Sequence, residues 1–382
     1  MCRNIPTRGY VAENMGRTVT TISDLIDSGQ GLWLEGLAGE HATLSLLADN
    51  RQGHSIAGLS VTLDACDRVL QAGKVFDQLI QEKLREGFYG GRLAMELLIA
   101  DALHAANLML PNFQKSGGLN GWVAVPYSPL STNDTANMPE TVPLDDARYR
   151  QPNLMISIAG LPSRLPTIES LITLNISLNI GLLFSSLQLR AVAETILQAF
   201  EGCLIAGRKP SSSCFLTIPV NRLLAGFSHL FPEKSAVACV NAVLLEICLV
   251  ARDLFETRRW QRVMEFGAQR PRLVCSFAGS IELCRSNLSL VREIGAVCSV
   301  AARCQDSGSS VPDRIPTVPD GKAGHRDQQQ QSASGSICAG IDIEMLANSL
   351  QKDEDDALLR SWISLLDTIA RKSAALTAVC HV

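Results

Sequence analysis

Eight short apolar runs, interleaved with stretches of helical spacing, constrain this chain more than any other feature. They fall at residues 31–35, 57–63, 121–126, 153–160, 175–185, 213–222, 270–276 and 294–300. The runs at 153–160 and 175–185 are the clearest. Both are short, largely apolar runs that end in small residues and lead into helical pattern, as buried strands do. Helices are predicted at 22–28, 74–86, 91–110, 187–202, 236–257 and 260–267, with two more, 341–350 and 354–375, closing the chain. In the last of these, Leu358, Trp362, Leu365, Leu366 and Ile369 share one face. Eight strand candidates alternating with helices predict an α/β chain folded as a (β/α)8 TIM barrel, for which 382 residues is ample.

Composition narrows the class. Hydrophobic residues make up 46% and aromatics 5%, so an aliphatic core is expected. A net charge of −4 offers no basic surface for nucleic acid or an anionic membrane. The twelve cysteines are scattered and form no CxxC pair. Neither Cys239 with Cys248 nor Cys298 with Cys304 has metal-ligand spacing or partner histidines, so reduced core thiols are expected and no metal or cofactor. No apolar core follows Met1, and the apolar stretches look too short to span a bilayer. A soluble, cytoplasmic protein is the expectation. Residues 1–21 read as a polar leader and 22–304 as the barrel. Residues 305–336, rich in Gly, Ser, Pro and Asp with glutamines at 328–331, read as a disordered insertion, and residues 337–382 as helices packed on the barrel.

The run Asn153-Leu154-Met155-Ile156-Ser157-Ile158-Ala159 resembles the fourth strand of transaldolases, which reads Asn-Leu-Met-Ile-Lys-Ile-Pro. Pro152 before it and Leu182-Leu183-Phe184-Ser185 after it are the other specific matches. Trp33-Leu34 and Ser116-Gly117-Gly118 are weaker ones. The resemblance covers about residues 22–372, apart from the insertion. It implies a transaldolase-like barrel of the class I aldolase group, whose lysine forms a Schiff base; Ser157 stands in that place. Glu35 replaces an aspartate that handles protons. Thr62 replaces an asparagine, Pro126 the glutamate acid/base and Gly181 a water-holding threonine. Thr217 and Arg222 match the serine and arginine that grip the substrate phosphate, while Gly279 stands where a basic residue is expected. Ser128-Pro129 and Asp134-Thr135 match the family and fix the register at Pro126.

Active sites of this fold lie at the C-terminal ends of the strands. That rim is expected to present Glu35, Thr62, Pro126, Ser157, Gly181, Thr217, Arg222, Cys275 and Ser276. None of the eight lysines lies within a proposed strand, and Lys209 is placed at the opposite end. Three functions stay open. The first is a lysine-independent enzyme, suited to specialised metabolism. Glu35 would be its acid/base and Ser157 a positioning hydroxyl, with Thr62, Thr217, Arg222 and Ser276 holding the ligand. The second is a non-catalytic pseudoenzyme, a ligand sensor or partner subunit. The third is an active transaldolase with a displaced lysine. Each takes a small molecule in the barrel mouth, and oligomeric state is open.

Overall fold

The computed structural model describes residues 32–37, 56–129, 148, 151–277, 297–301 and 341–379. The leader at 1–21, the helix expected at 22–28, Asp134-Thr135, Gly279 and the insertion at 305–336 lie outside the described residues. Eight strands form the frame: β1 (Leu32–Leu37), β2 (Ile56–Val61), β3 (Trp122–Pro126), β4 (Leu154–Ala159), β5 (Leu178–Gly181), β6 (Cys214–Pro219), β7 (Arg272–Ser276) and β8 (Val297–Ala301). All neighbouring pairs are parallel, and β8 closes on β1 through Leu32↔Cys298 to Glu35↔Ala301. The strands follow sequence order around a closed barrel. This is the (β/α)8 architecture that the eight apolar runs predict.

The helices are α1 (Leu63–Ala72), α2 (Asp77–Arg85), α3 (Gly90–Lys115), α4 (Leu165–Thr173), α5 (Ser186–Ile205), α6 (Val220–Ser228), α7 (Glu233–Phe255), α8 (Arg258–Glu265) and α9 (Ile343–Val379). Three of them, α1, α4 and α6, are absent from the sequence reading. Two of these shorten a predicted strand. Thr62 leaves β2 to cap α1, its hydroxyl accepting from the Ala65 amide at 3.3 Å. Pro219 ends β6, so Arg222 stands in the first turn of α6 and not on the strand. Conversely, α3 runs past Pro111, where it was expected to stop. Burial of Met109 and a 3.1 Å bond from the Asn112 amide to the Ile56 carbonyl hold the extra turn.

The barrel has two cores. Outside it, mainly aliphatic residues of the helices and of the outward strand positions, with some aromatics such as Trp260 and Trp362, form one continuous cluster. Inside it, Trp33, Ala57, Trp122, Ala124, Met155, Phe215 and Val274 form a second, separate cluster. The expectation of an aliphatic core therefore holds only outside the sheet. Trp33 and Trp122 lie against Phe215, with ring centroids 5.2 and 5.8 Å apart, and plug the interior. Gly58 is required beside them, because a Cβ there would sit 2.5 Å from the Trp33 ring. Asn153, fully buried, donates to the carbonyls of Ala106 and Gly121 at 2.8 Å each and ties α3 to the starts of β3 and β4.

α9 is one unbroken helix where two were expected. Its polar run around Gln351–Asp355 is not a break, because Gln351, Glu354 and Asp355 meet the barrel. Gln351 donates to the Gly160 and Leu182 carbonyls at 3.2 and 2.9 Å. Leu182, at φ 59°, holds a left-handed backbone that this bond helps to fix. Further along, Trp362, Leu365 and Ile369 are buried. Ser364 donates to Asp67 on α1 at 2.6 Å. Burial pushes the Asp67 carboxyl up, but donors from Ser364, Thr368 and Gln71 and the charge of Arg371 hold it below its ordinary range.

Cys66, Cys203, Cys214, Cys248 and Cys275 are buried free thiols, and burial pushes Cys214 and Cys248 up to about 12. Such thiols act as small apolar side chains. Cys239 departs from the expectation of reduced thiols: it is disulfide-bonded. Two helices, α3 and α7, are long and apolar enough to cross a membrane, against the sequence expectation. Both are helices of the barrel's outer layer, and 67% of the apolar window of α3 is buried within the fold.

Candidate active site at the barrel mouth

Side chains alternate along a strand. That rule builds the mouth directly on the interior plug. Two residues beyond Trp33, Ala124, Met155, Phe215 and Val274 come Glu35, Pro126, Ser157, Thr217 and Ser276. All five line one cavity of about 310 Å³ at the C-terminal ends of the strands, together with Thr62, Gly181 and Arg222. The structure thus brings Glu35, Ser157, Thr62, Thr217, Arg222 and Ser276 to a single site. Cys275, expected on the rim, belongs instead to the outer core and does not line the cavity. Its neighbour Ser276 takes the inward position, as the alternation requires.

Two polar groups organise the wall. Thr217 donates its hydroxyl to Asn179 Oδ1 at 2.7 Å, and Asn179 Nδ2 donates to Ser157 Oγ at 3.1 Å. The pairing Ser157↔Asn179 between β4 and β5 sets up this relay. Its direction matters. Ser157 already accepts from Asn179, so its own O–H proton is left to point at another acceptor. Elsewhere on the wall, Ser276 donates to Glu35 Oε1 at 2.9 Å and orients that carboxylate.

The arginines of the cavity come from the loops and helices above the strands. Arg222 pairs with Glu354 of α9, Nε to Oε1 at 2.9 Å, and is half-exposed. Arg164, buried, pairs with Asp355 at 2.7 Å. Among the described residues no lysine lines the cavity. Lys209 lies over Gly267, before β6 and so at the other end of the barrel. Gly181 adds room, since a Cβ built there meets nothing within 4 Å. No group of three or more His, Cys, Asp or Glu side chains able to hold a metal occurs among the described residues.

Sequence reasoning missed Asn179, Arg164, Glu354 and Tyr127, which all line the cavity. Asn179 was legible: it sits two residues before Gly181 on a recognised strand, and alternation puts both inward. Tyr127 follows Pro126, and its hydroxyl is buried without a hydrogen-bond partner. Glu354 was not legible, because its place depends on α9 crossing the mouth after an intervening segment of 39 residues, 302–340, that the structure does not describe.

The fold and the polar mouth together define a (β/α)8 barrel with an active-site-type pocket at its C-terminal end. A sequence model of the Transaldolase/Fructose-6-phosphate aldolase family matches residues 64–238. The chain is similar to a transaldolase of Thermobifida fusca, with 24% identity over 368 residues, 93% of this chain and 99% of that protein. It is similar to transaldolase 1 of Streptomyces avermitilis, with 24% identity over 370 residues, 93% of this chain and 96% of that protein. Transaldolase 2 of Nostoc punctiforme is 25% identical over 267 residues, 64% of this chain and 69% of that protein.

Proposed function

We propose that this chain is a divergent member of the transaldolase family, a lysine-independent enzyme that moves a proton on a small carbonyl compound. The observation that carries the reading is the pairing of two prepared groups in one cavity. Glu35 is a carboxylate oriented by Ser276, and Ser157 is a hydroxyl whose proton the Asn179 relay leaves free to donate. A carboxylate can take a proton from the carbon beside a carbonyl, while a hydroxyl can hold the oxygen on which charge develops. Neither step needs an imine. Ser157 cannot form one, and Pro126 has no ionisable group to shuttle a proton where the resemblance expects a glutamate. Thr62, Thr217, Arg222 and Ser276 would then position the ligand. The role proposed lies outside transaldol transfer, in specialised metabolism, and what supports it is that no lysine among the described residues lines the cavity.

The test is solvent-proton exchange. The full chain is incubated in D2O with dihydroxyacetone and a panel of unphosphorylated ketoses, and deuterium uptake is read by NMR. Exchange with a panel member is expected, falling at least about 100-fold in Glu35→Gln. Ser157→Ala should slow it while the ligand still raises the melting temperature. Ligands that raise the melting temperature with no exchange would replace this reading with the non-catalytic sensor.

A further inference from the structure

We infer that Glu354 sets the ligand class of the mouth, reserving it for uncharged carbonyl or polyhydroxy compounds and excluding phosphate monoesters. The inference rests on the reading above that the mouth binds a small molecule. It reverses the expectation that Arg222 grips a phosphate.

The geometry is specific. Among the described residues, the two arginines that line the cavity each carry a carboxylate from α9: Arg222 with Glu354 and Arg164 with Asp355. Glu35 adds a further negative charge on the same wall. No lysine among the described residues lines the cavity. A phosphate monoester, carrying about −1.5 to −2 charges at neutral pH, would have to share Arg222 with Glu354 or displace it.

Displacement is blocked by the helix that carries Glu354. Three residues before it, Gln351 is bonded to the Gly160 and Leu182 carbonyls. One residue after it, Asp355 is bonded to the buried Arg164. These bonds pin α9 on both sides of Glu354. The Glu354 side chain is only 21% exposed, against 51% for Arg222, so the carboxylate is the less mobile partner. Burial first, and then Asp353, push its carboxyl up against the pull of Arg222 and Arg360. What the fold holds in place is the position of this carboxyl group beside Arg222. Any anion reaching Arg222 would meet it at close range, where like charges repel in a partly desolvated site. An uncharged ligand meets no such repulsion and can use the Ser157–Asn179–Thr217 relay.

The experiment is titration calorimetry of the full chain with inorganic phosphate at pH 7.5 and low ionic strength. Wild type and Arg222→Met are expected to bind phosphate equally weakly. Glu354→Gln should bind it at least 10-fold more tightly, and the double variant Glu354→Gln, Arg222→Met should lose that gain. Phosphate binding to wild type that Arg222→Met weakens 10-fold would overturn the inference, as would a folded Glu354→Gln with no gain. The wild-type and Arg222→Met comparison decides even if Glu354→Gln fails to fold. If the gain appears but no unphosphorylated carbonyl compound binds wild type, the role of Glu354 stands and the proposed enzyme reading fails.

Discussion

Replacing Ser157 with lysine is expected to leave transaldol turnover at least about 100-fold below that of a working Schiff-base enzyme. The substitution restores a primary amine at an inward position of β4, lining the cavity. An amine alone is not enough. The amine must be uncharged to attack, and a carboxylate must then move protons for the imine to form and collapse. Pro126, the register partner of Ser157 on β3, cannot do that. Gly181 leaves open space instead of a hydroxyl, and Glu354 opposes a phosphorylated donor. The Ser157→Lys variant should therefore trap some substrate on borohydride reduction without turning it over. Adding Pro126→Glu to Ser157→Lys should raise the rate more than any other single addition. A Ser157→Lys protein with full turnover would show that Pro126 and Gly181 do not limit the chemistry.

Trp362→Ala is expected to destabilise the protein by about 3–5 kcal/mol, the usual cost of truncating a buried tryptophan. Trp362 is 1% exposed on the buried face of α9, where a Cβ added at Gly91, at the start of α3, would lie 3.5 Å from its ring. Its indole N–H has no hydrogen-bond partner, so its contribution comes from packing. Trp362→Phe should consequently cost much less than the alanine change, since it keeps most of the ring and removes an unsatisfied donor. The measurement is the denaturant midpoint of unfolding at unchanged slope. Equal losses for the two variants would mean that shape complementarity, and not buried apolar area, fixes α9. Because α9 brings Glu354 and Leu358 to the mouth, the alanine variant should also lose ligand-induced stabilisation.

The barrel was legible because its strands are written in the most direct signal a sequence offers. Runs such as Leu154–Ala159 and Cys214–Pro219 are apolar on both faces, and only a sheet covered on both sides buries them. Short helices were harder. α1 and α6 begin where strands end, and their first residues, Leu63 and Val220, are apolar enough to prolong a strand pattern. Thr62 and Arg222 thus reached the mouth from helix starts. The mouth itself was legible where alternation on a known strand decides, as for Ser157, Thr217 and Ser276. It was illegible where side chains arrive from far along the chain. The Arg222–Glu354 and Arg164–Asp355 pairs join residues 132 and 191 positions apart, and no local spacing announces them.

The most direct test of a lysine-independent mouth is borohydride reduction of the wild-type protein with fructose 6-phosphate, followed by intact-mass measurement. A parallel reaction with dihydroxyacetone removes phosphate rejection as a trivial cause of failure. No lysine among the described residues lines the cavity, and a lysine-independent barrel predicts an unchanged mass with both compounds. A stoichiometric adduct mapped to one lysine would contradict it and return the protein to Schiff-base chemistry through a displaced amine.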